Sequence, residues 1–149
     1  MSTNASSALT LDEIKALIPH REPMLMIDEV LERSSEHIVC RRTFRHDEYF
    51  FQGHYPDFPL VPGVLLCEAA MQAGAVLLAE QANQAGIPVA ARLNEVKFRR
   101  MVHPGDTITV HVDVTDRPAN AYFMKARVML GDSVAMRCEF ACMIAQPEL

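Results

Sequence analysis

From Val61 to Ala79 the chain is almost wholly apolar, and this run constrains the whole fold. It opens on Pro62-Gly63 and is followed by Gly86 and Pro88, which suit a helix start and a helix end. If residues 63–84 are all helical, they span roughly 33 Å at 1.5 Å per residue. Apolar side chains surround such a helix on nearly every side, so it has to be buried rather than laid on a surface. A bilayer is one such place. The run nevertheless holds Glu68 and Gln72, has no Lys or Arg close to either end, and is the only run of its kind. A mid-membrane carboxylate is costly and the flanking charges are missing. The expectation is no membrane span but a core helix that other elements wrap.

Strands are available to wrap it. Upstream, Thr10-Leu11-Asp12-Glu13 fits a capping box, so a short helix LDEIKALI is expected to stop before Pro19. PHREPMLMIDEVLE then begins as irregular chain and continues as a strand. HIVCRRTF alternates imperfectly through Ile38, Cys40, Arg42 and Phe44. Downstream, ARLNEVKFRR leads to a turn at His103-Pro104-Gly105-Asp106. TITVHVDVTD alternates through Ile108, Val110, Val112 and Val114. A further alternation runs through Tyr122, Met124, Ala126, Val128 and Leu130 to a hairpin signal at Gly131-Asp132. The last strand places Val134, Met136, Cys138, Phe140, Cys142 and Ile144 on one face, so Cys138 and Cys142 point inward together. Three long antiparallel strands around one buried helix make an α+β architecture. Residues 1–9 read as a tail and 10–149 as one domain, in keeping with 149 residues of which 50% are hydrophobic.

The net charge of −5 argues against a general nucleic-acid binder, which carries a basic surplus. Cys40, Cys67, Cys138 and Cys142 show neither CxxC nor zinc-like spacing with histidine, as expected of reduced, buried thiols in a cytoplasmic protein. The start MSTNASSALT lacks the basic end and apolar core of a signal peptide.

Glu68 is the residue that needs explaining. A buried carboxyl group must be hydrogen-bonded, neutral, or facing a polar cavity. Gln72 lies four residues on, on the same helical face, where its amide can hold Glu68. The pair reads either as a polar clamp fixing helix packing or as an acid or base tuned by burial for proton transfer. His54 is read the same two ways, as a structural side chain at a turn or as a base. Gly53, Pro56, Pro59 and Pro62 shape the backbone between it and the helix. That helix start offers unpaired N–H groups, Gly63 among them, and a partial positive charge for a developing oxyanion. There is no GxSxG, HExxH, GxGxxG or P-loop, and His46 and His54 with Asp47 or Glu48 match no standard metal spacing. Cys67 has no positive neighbour in sequence to activate its thiol.

The segment GHYPDFPLVPGVLLCEAAMQAG resembles the signature GHFPxxPxxPGVLxxEAxAQ of the (3R)-hydroxyacyl-acyl carrier protein dehydratases of type II fatty acid synthesis. IPHREPMLMIDEV is similar to that family's PHRxPFLLVDRV, and VKFRRMVHPGDTITV to its KFRRPVxPGDxL. The likeness covers nearly everything from residue 11 to 145. It implies a hot-dog fold, a long sheet wrapped around one central helix. It also implies a homodimer with sites shared between subunits, with or without assembly into a trimer of dimers. The implied reaction removes water from a 3-hydroxyacyl thioester on acyl carrier protein, without metal or organic cofactor. His54 would be the base, Gly63 the oxyanion donor and Glu68 the proton donor from the partner subunit, oriented by Gln72. Phe58, Leu65, Leu66 and Met71 are acyl-pocket candidates, the leucines and methionine serving equally as plain core. Arg41, Arg42, Arg45, Lys97, Arg99 and Arg100 are candidates for docking an acidic carrier protein, or an ordinary solvated face. Asp57 and Phe58 replace a frequent Gly-His, and Cys67 replaces an aliphatic residue. Those changes leave acyl length and pathway open. A thioesterase on the same fold and a non-catalytic acyl-binding subunit are the competing readings.

Overall fold

A computed structural model describes residues 8–146 and the side chains of all of these except 81–85. The apolar run forms helix α2, Gly63–Ala85. Ala69, Ala70, Ala73, Val76 and Leu78 have no exposed surface, and this explains how so apolar a helix stays in water. By length and composition Gly63–Glu80 would suffice to cross a membrane, but 67% of that window is buried inside the protein.

The wrapping is done by one antiparallel sheet. Its strands are β1 (Glu29–Arg33), β2 (His37–Thr43), β3 (Ile87–Phe98), β4 (Thr107–Asp116), β5 (Ala121–Leu130) and β6 (Ser133–Ala145). They lie in the order β1-β2-β4-β5-β6-β3, so the three long strands read from alternation, β4, β5 and β6, form the centre, with β2 and β1 on one side and β3 on the other. Inward residues are the alternating set: Ile108, Val110 and Val112 of β4 and Met124 and Val128 of β5 are at most 1% exposed. Across β5 and β6, Ala126 pairs with Cys138 and Met124 with Phe140, which stacks the two inner faces in register. Gly131 takes φ = 57° at the turn between them, the left-handed conformation that the hairpin requires. Losing a side chain such as Leu78 from this core would cost about 2–5 kcal/mol. A long antiparallel sheet curled around one buried helix is the hot-dog architecture.

The short helix α1, Leu11–Leu17, carries the expected capping box: Glu13 N–H donates to Thr10 Oγ1 (3.3 Å) and Thr10 N–H to Glu13 Oε1 (2.9 Å). Those bonds hold the Glu13 carboxyl below its usual range. Most of the expected tail lies outside the described residues, but Leu9 does not belong to it. Leu9 exchanges both backbone bonds with Val30 at 3.0 Å and extends the sheet beyond β1. Strand β3 begins at Ile87, ahead of the expected Ala91, and is the sheet's other edge. Its apolar Ile87, Val89, Leu93 and Phe98 are all between 39% and 54% exposed.

Candidate active site

His54 follows a 3₁₀ turn, Tyr49–Gln52, that is pinned from below. Glu48 is buried and accepts from Arg42 Nη2 at 2.8 Å and from the Arg45 N–H at 3.1 Å. Arg42 also donates to Asp28 Oδ1 (3.1 Å) and lies over the Phe44 ring, 5.1 Å from its centroid. Breaking such a buried pair from one side costs about 3–5 kcal/mol. Arg42 therefore corrects the docking set: at 6% exposure it anchors the loop and cannot meet a partner.

Above this anchor, the His54 N–H donates to the Phe50 carbonyl at 3.1 Å. His54 Nδ1 lies 3.0 Å from the Leu60 carbonyl oxygen. A carbonyl only accepts, so Nδ1 carries the hydrogen and Nε2 is left as the basic nitrogen. Tyr55 takes φ = 53°, a conformation that costs a non-glycine residue about 1–3 kcal/mol. The tight turn, closed by the Phe58 N–H on the Tyr55 carbonyl at 2.8 Å, lays the tyrosine ring 4.8 Å from that of His54.

Gly63 opens α2 in the same cleft. A first-turn N–H has no partner within its own helix and sits at the positive end of the macrodipole. No acidic residue occupies that first turn to neutralise it. The lack of a side chain is used: a Cβ on Gly63 would stand 2.7 Å from Phe98 Cε1. His54, Gly63, Leu66, Phe98, Met101 and Val102 border a cleft of about 520 Å³, and Arg99 and Arg100 stand at its edge. The cleft thus brings together an imidazole whose Nε2 is free, the first backbone N–H of α2 and apolar walls.

Glu68 is five residues beyond Gly63, about 140° around the helix at 100° per residue, and does not line that cleft. Its side chain is 23% exposed and its Oε2 accepts from Gln72 Nε2 at 2.8 Å. Gln72 is fully buried; Nε2 also donates to the Met24 carbonyl (2.8 Å), and Oε1 accepts from the Met26 N–H (2.7 Å). Both its N–H donors are used inside the protein, and its oxygen is engaged there too. The buried Gln72 amide holds Glu68 in place.

A family model described as a FabA-like domain matches residues 18–139. This chain belongs to the FabA-like family. It is 49% identical over 106 residues to the 3-hydroxyacyl-[acyl-carrier-protein] dehydratase FabZ of Oenococcus oeni, covering 70% of this chain and 76% of that one. It is 37% identical over 151 residues to the FabZ of Koribacter versatilis, with 97% of each chain covered. Among solved structures, the dehydratase heterocomplex ApeI:P from Xenorhabdus doucetiae superposes with a TM-score of 0.73 over 91% of each chain. At 15% identity, that likeness concerns the fold.

The remaining candidates of the FabA-like chain separate by position. Leu66 lines the cleft, whereas Leu65 and Met71 pack against the core as partly buried residues. Phe58 is 55% exposed and meets His103 edge-on at 6.1 Å, so it does not border the cleft. Arg41 is paired with Glu29, and Arg45 with Asp47 at 3.0 Å. Lys97 lies on the outer sheet face beside Arg137 and Glu139. Burial pushes the Cys67 thiol up, and it is 3% exposed, an inert side chain rather than a nucleophile. One neighbour of Glu68 lies in the IPHREPMLMIDEV segment, where sequence alone gave it no role. His20, from the loop after α1, places Nε2 3.9 Å from Glu68 Oε2.

Proposed function

We propose that this FabA-like chain dehydrates 3-hydroxyacyl thioesters on acyl carrier protein to trans-2-enoyl thioesters, as a hydro-lyase of cytoplasmic fatty acid biosynthesis. The observation that carries the reading is the cleft geometry in a chain related to FabZ dehydratases along its length: a base nitrogen left free by the Leu60 contact faces the same apolar space as the Gly63 N–H. His54 Nε2 takes the C2 proton while the Gly63 N–H stabilises charge developing on the thioester oxygen. Glu68 gives its proton to the C3 hydroxyl, which leaves as water. The reaction calls on no metal or organic cofactor.

Within one chain Glu68 faces away from the His54 cleft. That favours a homodimer in which the partner subunit's Glu68 completes each site, alone or as a trimer of dimers. The exposed edge strand β3, with its apolar side chains, suits such a partner. Arg99 and Arg100 at the cleft edge suit an acidic carrier protein. The test is to incubate the purified protein with a 3-hydroxyacyl-carrier-protein thioester and follow loss of water by mass spectrometry, with Glu68→Gln alongside. Enoyl thioester from the wild type alone is the expected result. Free acid with no enoyl product would make the protein a thioesterase instead.

A further inference from the structure

If Glu68 surrenders a proton at each elimination, it ends the turnover as a carboxylate and must be reloaded. Its two oxygens are not equivalent. Oε2 faces inward, bonded by Gln72 and approached by His20 Nε2 at 3.9 Å. Among the described residues none bonds Oε1, which is therefore open to a substrate hydroxyl. An oxygen that accepts one N–H bond retains a lone pair, so Oε2 can take up a proton while bonded to Gln72.

His20 is suited to supply that proton. An imidazole ring can both carry and release a proton, as a relay requires. Its side chain is 28% exposed, so the ring meets solvent as well as Glu68. Its Nδ1 is buried without a hydrogen-bond partner, so nothing on that side locks the ring or its tautomer. The other charges of the loop point elsewhere: Arg21 is spent on the carbonyls of Lys15, Ile18 and His20, and Lys15 is paired with Glu22 at 2.9 Å. Among the described residues, Glu68 from α2 is the one charged group within ion-pair distance of His20. A movement of about 1 Å brings Nε2 into hydrogen-bond range.

We propose that His20 reloads Glu68 between turnovers by delivering a proton to Oε2; a half-turn of the carboxyl group then presents that O–H to the substrate hydroxyl and leaves the other oxygen to accept from Gln72 Nε2. The balance closes. In the elimination the C2–H and C3–O bonds break, His54 gains a proton and Glu68 loses one to the departing water. In the reset the His20 imidazolium N–H bond breaks and the Glu68 O–H bond forms. His20 then takes a proton from solvent and His54 returns one, with no net change.

This rests on the dehydratase reading, so the wild type is assayed first. His20→Gln and His20→Asn are then followed by rapid-quench mass spectrometry in dilute buffer. The expected result is a first turnover per site near the wild-type rate, then a steady state at least about a hundredfold slower, the low end for a lost proton-transfer group. Added imidazole should restore the steady state. A residue that only shapes the loop would slow the first turnover as much as the rest and gain nothing from imidazole. That outcome, or a steady state unchanged in both variants, overturns the role of His20 and leaves the dehydratase reading standing. No water loss by the wild type overturns both.

Discussion

Gln72 bonds Glu68 Oε2 across 2.8 Å from a side chain with no exposed surface, and the same amide ties the helix to the backbone of Met24 and Met26. One residue thus joins the carboxyl group to the loop that carries His20. Replacing it with leucine keeps the volume but strands the buried Met26 N–H, a loss of about 1–3 kcal/mol. For Gln72→Leu we expect urea unfolding to show that loss, and kcat to fall about tenfold or more with KM little changed, as befits geometry lost in the transition state. An unaltered kcat in a folded Gln72→Leu would remove its positioning role.

The Phe98 ring occupies the space that a Cβ on Gly63 would need. Gly63→Ala forces the ring aside or tilts the helix start away from the substrate oxygen. Loss of one well-placed oxyanion donor costs up to 10²–10³ in kcat, and a displaced donor loses about tenfold or more of that. Phe98 is 54% exposed and can be trimmed without emptying the core. The double variant Gly63→Ala/Phe98→Ala should therefore recover activity relative to the product of the single effects, the signature of two groups in contact. Strict multiplicativity would mean that the contact does not govern the donor.

On the outer sheet face, burial first, then the positive charges of Arg127 and His37, hold His111 below its ordinary value of 6.5. A depressed histidine binds fewer protons in the folded state than in the unfolded one, so stability rises with pH. The contribution is complete above about pH 6.5 and is lost as pH falls through the lower folded value. Urea midpoints measured between pH 8 and pH 5 should fall for the wild type and fall less for His111→Gln. Parallel curves would place the acid sensitivity elsewhere.

The helix and the β4, β5 and β6 strands were legible because each pattern reports on itself: a run without a polar face must be buried, and period-two alternation needs one buried side. The capping box at Thr10 and Glu13 is likewise local. What sequence did not disclose depends on distant partners. Arg42 reads as a surface cation until Asp28 and Glu48, from two separate loops, close on it. Phe58 follows His54 closely in the chain, yet the turn at Tyr55 sends it to His103. His20 belongs to a proline-flanked loop with no periodicity, and its approach to Glu68 exists only once α1 packs beside α2. The chemistry of His54 and Glu68 was suggested by residue type and motif, whereas the tautomer of His54 required the Leu60 carbonyl.

The shared site carries the sharpest test of assembly. His54 and Gly63 face one cleft of the chain and Glu68 faces another way, so each chain of a dimer would give a base and an oxyanion donor to one site and an acid to the other. His54→Ala leaves an intact Glu68, and Glu68→Gln leaves an intact His54; each homodimer has two broken sites. After subunit exchange, random pairing gives mixed dimers in about half of the population, each with one whole site of two, hence about one quarter of wild-type activity. The measurement is steady-state turnover of the mixture before and after exchange at equal total protein, with exchange followed by native mass spectrometry. Activity that stays at the level of the separate variants after exchange is complete would place the acid and base in one chain and end the shared-site reading.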